Sequence, residues 1–339
     1  MRRIFTICAA AAVLMTAAGC TGEGEGEEVR VRVPNGASFS AVTDSLASKG
    51  VISAPTLIRI YARLTNQDHR IRPGTYGFRQ GAGWKTVLDD LTNGRVLTMR
   101  LVIPEGWDLR KISARLAELS GAPADSIFDV LSDPETAKRF DVPGPTLEGY
   151  LYPATYTLPV DLPLDAIIGG LVKQYRAIWT PERRAAADSI GLSEREVVTL
   201  ASIIEREAKV RSEMPIISAV YHNRLRIGMP LQADPTVQYA LGEHQARLLY
   251  AHIDSVQDNP YNTYRHRGLP PGPIASPSIL AIDAALHPAD VKFLYFVARA
   301  DGSHVFTRTF DEHRRARAMI RREQALAGRG QSPATAAGQ

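Results

Sequence analysis

Val29-Arg30-Val31-Arg32-Val33-Pro34-Asn35-Gly36-Ala37-Ser38-Phe39 alternates apolar and charged residues, breaks on a proline-led turn, and arrives at a serine placed to cap a helix. The period of two makes residues 29–33 a strand with one buried face. Phe39, Val42 and Leu46 then share a face at helical spacing, and the Ser38 hydroxyl can accept a free N–H of the first turn. The same order returns at residues 97–103, a strand-like run followed by Pro104-Glu105-Gly106, a capping Asp108, and Leu109, Ile112 and Leu116. This predicts two copies of one β-turn-α unit, with both apolar triplets buried. Between the copies, residues 55–64 predict a second helix, and Pro73-Gly74-Thr75-Tyr76-Gly77-Phe78 predicts a turn entering a strand. The result is a small β-α-α-β module over residues 29–79.

Upstream, Met1-Arg2-Arg3 supplies positive charge and residues 4–18 an apolar run, the layout of a secretory signal. The run ends in Ala17-Ala18-Gly19-Cys20, similar to a lipoprotein cleavage box except that Ala17 stands where that box usually has Leu. A bilayer span takes about 20 apolar residues, more than this run offers. A processed signal or a lipid on Cys20 is therefore preferred to an uncleaved anchor, and each outcome leaves the domain outside the cytoplasm; the expected location is the inner membrane, with the N-terminus as the anchor. Residues 21–28, rich in Gly and Glu, read as a tether. Cys8 and Cys20 are the two cysteines, so beyond residue 20 no disulfide, thiolate metal site or cysteine nucleophile exists.

With 45% hydrophobic and 22% charged residues, the 339-residue chain has the composition of an ordinary globular protein of one or two domains. A formal charge of +4 is small for this size, and the basic run from Arg308 to Arg329 reads as a solvated helix face rather than a nucleic-acid site.

The chemistry begins at Leu147-Glu148-Gly149-Tyr150-Leu151-Tyr152-Pro153-Ala154-Thr155-Tyr156, a loop-like stretch dense in tyrosine. Tyr150 and Tyr152 are suited to stacking on sugar faces, and equally to a core with satisfied hydroxyls. Next, Ser193 and Glu196 form a capping box ahead of a helix reading VVTLASIIEREA from Val197. Val197, Ala201, Ile204 and Ala208 define its buried stripe, Arg206 points to solvent, and Glu205 and Glu207 occupy opposite shoulders. A half-buried carboxyl on either shoulder would have its pKa raised by desolvation. The helix alone does not choose between them. Then follow the string from Tyr221-His222-Asn223-Arg224 through Leu231-Gln232-Ala233-Asp234-Pro235, the segment Tyr261-Asn262-Thr263-Tyr264, and Gly268-Leu269-Pro270-Pro271-Gly272-Pro273-Ile274. Polar loops stiffened by Pro and Gly are how a preorganised cleft is built.

These motifs, together with His287-Pro288 and the strand pair at residues 294–298 and 302–306, closely resemble the MltG/YceG-like family of endolytic murein transglycosylases over roughly residues 29 to 313. Ala154 stands where the family's LEGYLFPDTY motif has an acid. The resemblance implies that Glu205, the first glutamate of the helix motif, is catalytic. It also implies cleavage of the bond between N-acetylmuramic acid and N-acetylglucosamine within a nascent strand, giving 1,6-anhydro ends and limiting strand length, with no metal or organic cofactor. It makes the front module LysM-like, with glycan binding or a packing role equally open. Tyr150, Tyr152, Asn223, Gln232, Asp234, Tyr261 and Asn262 are the candidate substrate-binding residues, Asp234 being as apt to cap the helix after Pro235. The expected partners are peptidoglycan strands, the membrane and peptidoglycan synthases, with no nucleic acid.

The fold expectation is α+β: signal or anchor at residues 1–20, tether at 21–28, LysM-like module at 29–96, mixed α/β catalytic domain at 97–315, and a basic, partly disordered tail at 316–339. Two competing readings are a hydrolase pairing Glu205 with Asp234 or Glu148, and a non-catalytic peptidoglycan-binding protein. A zinc enzyme is disfavoured because His222, His287 and His304 form no close ligand pair.

Overall fold

The computed structural model describes residue 22, residues 24–243 and residues 245–330. The signal or anchor expected at residues 1–20 and the last nine residues of the expected tail lie outside the described residues. The fold is α+β and divides into two compact units, Met1–Leu101 with Tyr156–Leu164, and Val102–Thr155 with Asp165–Gln339.

In the first unit, β1 (Glu28–Val33), α1 (Phe39–Ser48), α2 (Pro55–Leu64) and β2 (Gly74–Arg79) follow the predicted order. β1 and β2 pair antiparallel with Val31 opposite Tyr76, which puts Val31, Val33, Tyr76 and Phe78 on the face covered by Val42, Leu46 and Ile58. The buried Tyr76 hydroxyl donates to the Arg72 carbonyl at 2.7 Å, so no polar group in this core is left unpaired at that ring. Ser38 caps α1 by accepting the Ala41 N–H at 3.2 Å. Helix α3 (Trp84–Asn93) adds Val87 and Leu91 to the same core. Strands β3 (Thr98–Val102) and β4 (Thr155–Pro159) form a second two-stranded sheet.

The turn and helix of the second repeat copy open the second unit. The 104–106 turn closes on Gly106 at φ 73°, a left-handed conformation that a side chain would resist. Asp108 caps α4 (Leu109–Ser120) through the Lys111 N–H, and Leu109, Ile112 and Leu116 are buried. The unit continues as α5 (Ala124–Ser132), α6 (Pro134–Arg139), α7 (Leu164–Ile178), α8 (Pro181–Ile190), α9 (Glu194–Glu207), a 3-10 turn at Arg211–Glu213, α10 (Met214–Arg226), α11 (Asp234–Leu241), α12 (Tyr250–Ser255) and α13 (Ile279–Leu286). An antiparallel pair, β5 (Tyr295–Ala298) with β6 (His304–Thr307), and α14 (Phe310–Gly330) complete it.

Two expectations change in the structure. Helix α9 packs against α8, α10, α11 and α13, so all of residues 197–204 are buried rather than one stripe. Helix α14 runs through the expected domain end at residue 315 because Ala316 and Ile320 face the core, 8% and 4% exposed, and hold the chain helical beyond it.

Leu46→Ala in the first unit and Ile112→Ala in the second each delete a fully buried branched side chain. Each is expected to lower stability by about 2–4 kcal/mol, read as a lower denaturation midpoint. A loss below about 0.5 kcal/mol would mean that the side chain is not in the core.

Candidate active site

Helix α9 enters the core through a closed capping box: Ser193 Oγ accepts the Glu196 N–H, and Glu196 Oε2 accepts the Ser193 N–H at 2.8 Å. After residues 197–204 are buried, the helix surfaces at Glu205-Arg206-Glu207. Three motif loops are fastened around that end. The Ile274 N–H donates to Ser202 Oγ at 3.0 Å, seating the proline-rich loop on the helix. Gly106 and Ser276 exchange backbone bonds with their neighbours, Gly106 N–H to Ser276 O and Ser276 N–H to Trp107 O, both at 2.8 Å. The Ser276 hydroxyl donates to the Leu151 carbonyl at 2.9 Å. Gly149 must be glycine here, since a Cβ would fall 2.5 Å from the Pro273 side chain and its φ is +82°.

The two glutamates have different surroundings. Glu205 Oε2 accepts both the Ser278 N–H at 3.0 Å and the Ser278 hydroxyl at 2.5 Å. Ser278 is itself the N-cap of α13, so Glu205 is tied to the start of that helix. Glu207 Oε1 accepts the Tyr221 hydroxyl at 3.0 Å. Burial first, and then the Asp234 charge, push the Glu207 carboxyl up to about 7, with Tyr221, Arg224 and Arg206 opposing. Asp234 in turn accepts the Tyr264 hydroxyl. Arg224, 7% exposed, is held by the Leu294 and Leu231 carbonyls.

The expected substrate-binding residues separate into two groups. Gln232 and Asp234 are exposed, and Tyr152 and Tyr261 are half-buried. Gln232 sits at φ 49°, a strained conformation of the kind concentrated at functional sites. Asp234 is the first residue of α11 and makes no side-chain cap. Tyr150, by contrast, is fully buried, its ring edge-on to Tyr175 at 5.1 Å, so it belongs to the core. Asn262 is also fully buried and donates to the Ile253 and Val256 carbonyls while accepting the Tyr264 N–H. Asn223 ties the 291–293 segment through the Val291 and Phe293 carbonyls. Both asparagine side chains are thus spent on holding loops. Tyr221 and Ser278, which separate the two glutamates chemically, come from α10 and the start of α13, and that pairing is tertiary with no local sequence signal.

A further carboxyl, Glu148, is 2% exposed and accepts the Leu109 N–H at the start of α4 at 3.0 Å. Burial, and secondarily the Asp108 charge, push it up to about 8, while the Leu109 amide, the Tyr239 hydroxyl and the Gly149 amide pull it back. It lines a cleft of about 260 Å³ with Asp108, Arg110, Arg206 and Tyr239. Among the described residues no three His, Cys, Asp or Glu side chains are grouped to hold a metal ion. His222 Nε2 meets the Ala285 carbonyl at 2.9 Å, and His304 Nδ1 meets Glu213 at 2.7 Å.

A family model described as the YceG-like family matches residues 31–319. The chain is similar to an endolytic murein transglycosylase of Bacillus subtilis (strain 168), 33% identical over 308 residues that cover 85% of this chain and 84% of the relative. It is 26% identical to an endolytic murein transglycosylase of Streptococcus pneumoniae (strain D39), covering 85% of this chain and 57% of that longer protein. The crystal structure of a yceG-like protein from Listeria monocytogenes matches with a TM-score of 0.59 at 32% identity, covering 85% of this chain and 98% of that one.

Glu148 gives a signed pH prediction. Between the ordinary carboxylate range and about 8, the folded protein keeps a proton there that the unfolded chain has released. Stability from this group is therefore present at low pH and lost as pH rises through that window. The melting temperature of Glu148→Gln relative to the parent should rise between about pH 5 and about pH 9. A flat or falling difference would mean that the charged form is the one favoured in the fold.

Proposed function

Because the chain belongs to the YceG-like family, we propose that it is an endolytic lytic transglycosylase, cutting the bond between N-acetylmuramic acid and N-acetylglucosamine inside peptidoglycan strands and leaving 1,6-anhydro ends. Support comes from the two relatives above carrying that activity in their names, and from the half-buried Glu205 carboxyl fastened by Ser278 at the end of α9.

The observation that carries the mechanism is how the first glutamate of the helix motif is held. Glu205 stands half-buried at the end of α9, and its Oε2 accepts both the Ser278 N–H and the Ser278 hydroxyl, which fixes the carboxyl in place. We assign the proton to Glu205. It donates that proton to the glycosidic oxygen as the C1–O bond breaks. Its carboxylate then takes the proton of the muramic acid 6-hydroxyl as that oxygen bonds to C1. No water is consumed, and the carboxyl ends as it began. Glu207, bonded by Tyr221, is the neighbouring desolvated carboxyl, while Asp234, Gln232, Tyr152 and Tyr261 are the proposed contacts to the strand and to the positive charge developing on the ring.

One observation favours a second reading. The Asp234 charge acts on the end of α9 at Glu207, and a second carboxyl beside Glu205 is the equipment of a hydrolase. Product analysis separates them, with a 1,6-anhydro end for the transglycosylase and a reducing end for a muramidase.

The remaining expectations belong to the same proposal: an N-terminal anchor holding the domain outside the cytoplasm at the inner membrane, glycan binding by the LysM-like front module, strand-length control, and synthase partners. Among the described residues no helix is long and apolar enough to cross a membrane, so the anchor rests on the sequence of residues 1–20. Cell fractionation should find the protein in the membrane fraction, and a wholly cytoplasmic protein would overturn both anchor and substrate.

On purified glycan strands, Glu205→Gln should lower cleavage by on the order of a hundredfold to ten-thousandfold, with the fold intact by melting temperature. Glu207→Gln should retain much more activity. The reverse order moves the proton to Glu207, and two active variants would end the single-carboxyl mechanism.

A further inference from the structure

The reaction above leaves Glu148 without a task, although its carboxyl is among the most deeply buried in the molecule. Its Oε2 is taken by the Leu109 N–H. Its Oε1 has no hydrogen-bond partner of good geometry among the described residues. The side chain faces the cleft of about 260 Å³. We propose that this cleft is a subsite for an N-acetylated sugar of the strand, whose acetamido carbonyl accepts a hydrogen bond from the Glu148 carboxyl; the assignment rests on the glycan reading above.

A buried polar atom without a partner costs about 1–3 kcal/mol, and a ligand that supplies the partner recovers it. The groups facing Glu148 fix which partner is wanted. Asp108 raises its pKa, the Leu109 amide, the Tyr239 hydroxyl and the Gly149 amide lower it, and burial outweighs them all. Tyr261 also feels the Glu148 charge. At neutral pH the group is an uncharged acid with one O–H to donate, and the matching ligand atom is a neutral acceptor. Arg110, Lys111 and Arg206 on the cleft wall stand against Asp108 and Glu243, so the lining is mixed in sign and suits a neutral polar ring better than a phosphate. The Arg110 guanidinium lies over the Phe128 ring at 4.5 Å, which holds it at the wall. Arg206 sits between Glu205 and Glu207 on α9, and Pro235 follows Asp234 on α11. A ring bound in this cleft is therefore next to the residues assigned to the reaction.

The test is calorimetric binding of chitotetraose, which carries acetamido groups, and of cellotetraose, which has hydroxyls in their place, to the full chain and to its Glu148→Gln and Glu148→Leu variants. The parent should prefer chitotetraose. Glu148→Leu should bind it about tenfold more weakly and lose the preference. Glu148→Gln, whose amide can accept the Leu109 N–H and still donate, should stay within about threefold of the parent. Moving from about pH 6 to about pH 9.5 should weaken the parent and not Glu148→Gln, since only the parent loses its donor. Binding by Glu148→Leu equal to the parent, or a loss in Glu148→Gln as large as in Glu148→Leu, overturns the subsite. If Glu148→Leu does not fold, the Glu148→Gln comparison across pH decides alone. A parent that discriminates the two sugars yet releases no fragments from glycan strands leaves the subsite standing and removes the transglycosylase reading instead.

Discussion

The burial of α9 is the constraint on which the rest of the second unit depends. Eight consecutive residues, from Val197 to Ile204, are enclosed by α8, α10, α11 and α13, a length of helix that fixes both the axis and the rotation of the segment. The polar end that follows has no freedom to choose its neighbours. Within the next turn Glu205 must meet the N-cap of α13 and Glu207 must meet Tyr221 on α10. Apolar packing thus positions two identical side chains in unlike environments. One carboxyl receives two donors from a helix start, and the other is desolvated beside a like charge. Desolvation beside a like charge is a general way in which a fold raises the pKa of one carboxyl.

The fold was readable to the extent that it is local. Strand alternation at residues 29–33, the caps at Ser38 and Asp108, and the capping box at Ser193 and Glu196 are short-range signals, and each forms as read. The antiparallel pair β5 and β6 was legible for the same reason. Where the reading went astray, tertiary packing overrode a local pattern. Helix α9 is buried all round because four helices surround it, and α14 continues past residue 315 because Ala316 and Ile320 find a core to cover.

The site was legible in its location and less so in its roles. The polar motifs do converge on the end of α9, through Ser202, Ser276 and Gly106. A sequence cannot tell which polar side chains in such loops face a ligand and which fasten the loop itself. Asn262 and Asn223 spend their amides on backbone carbonyls, and Tyr150 lies in the core. Loops this rich in Pro, Gly and polar residues have many carbonyls to satisfy without ladder partners, and buried asparagine is one of the few side chains able to do it. Conversely, the partners that set the acidity of Glu207 and Glu148 come from distant parts of the chain: Tyr221 and Asp234 for one, Leu109 and Asp108 for the other.

The most direct test of the central claim is a ¹³C NMR titration of the glutamate side-chain carboxyls, with Glu205 and Glu207 assigned from the resonance each glutamine variant removes. The account predicts that the resonance lost in Glu207→Gln titrates near pH 7 in the parent. A Glu207 carboxyl that titrates in the ordinary carboxylate range, around 4, would contradict it.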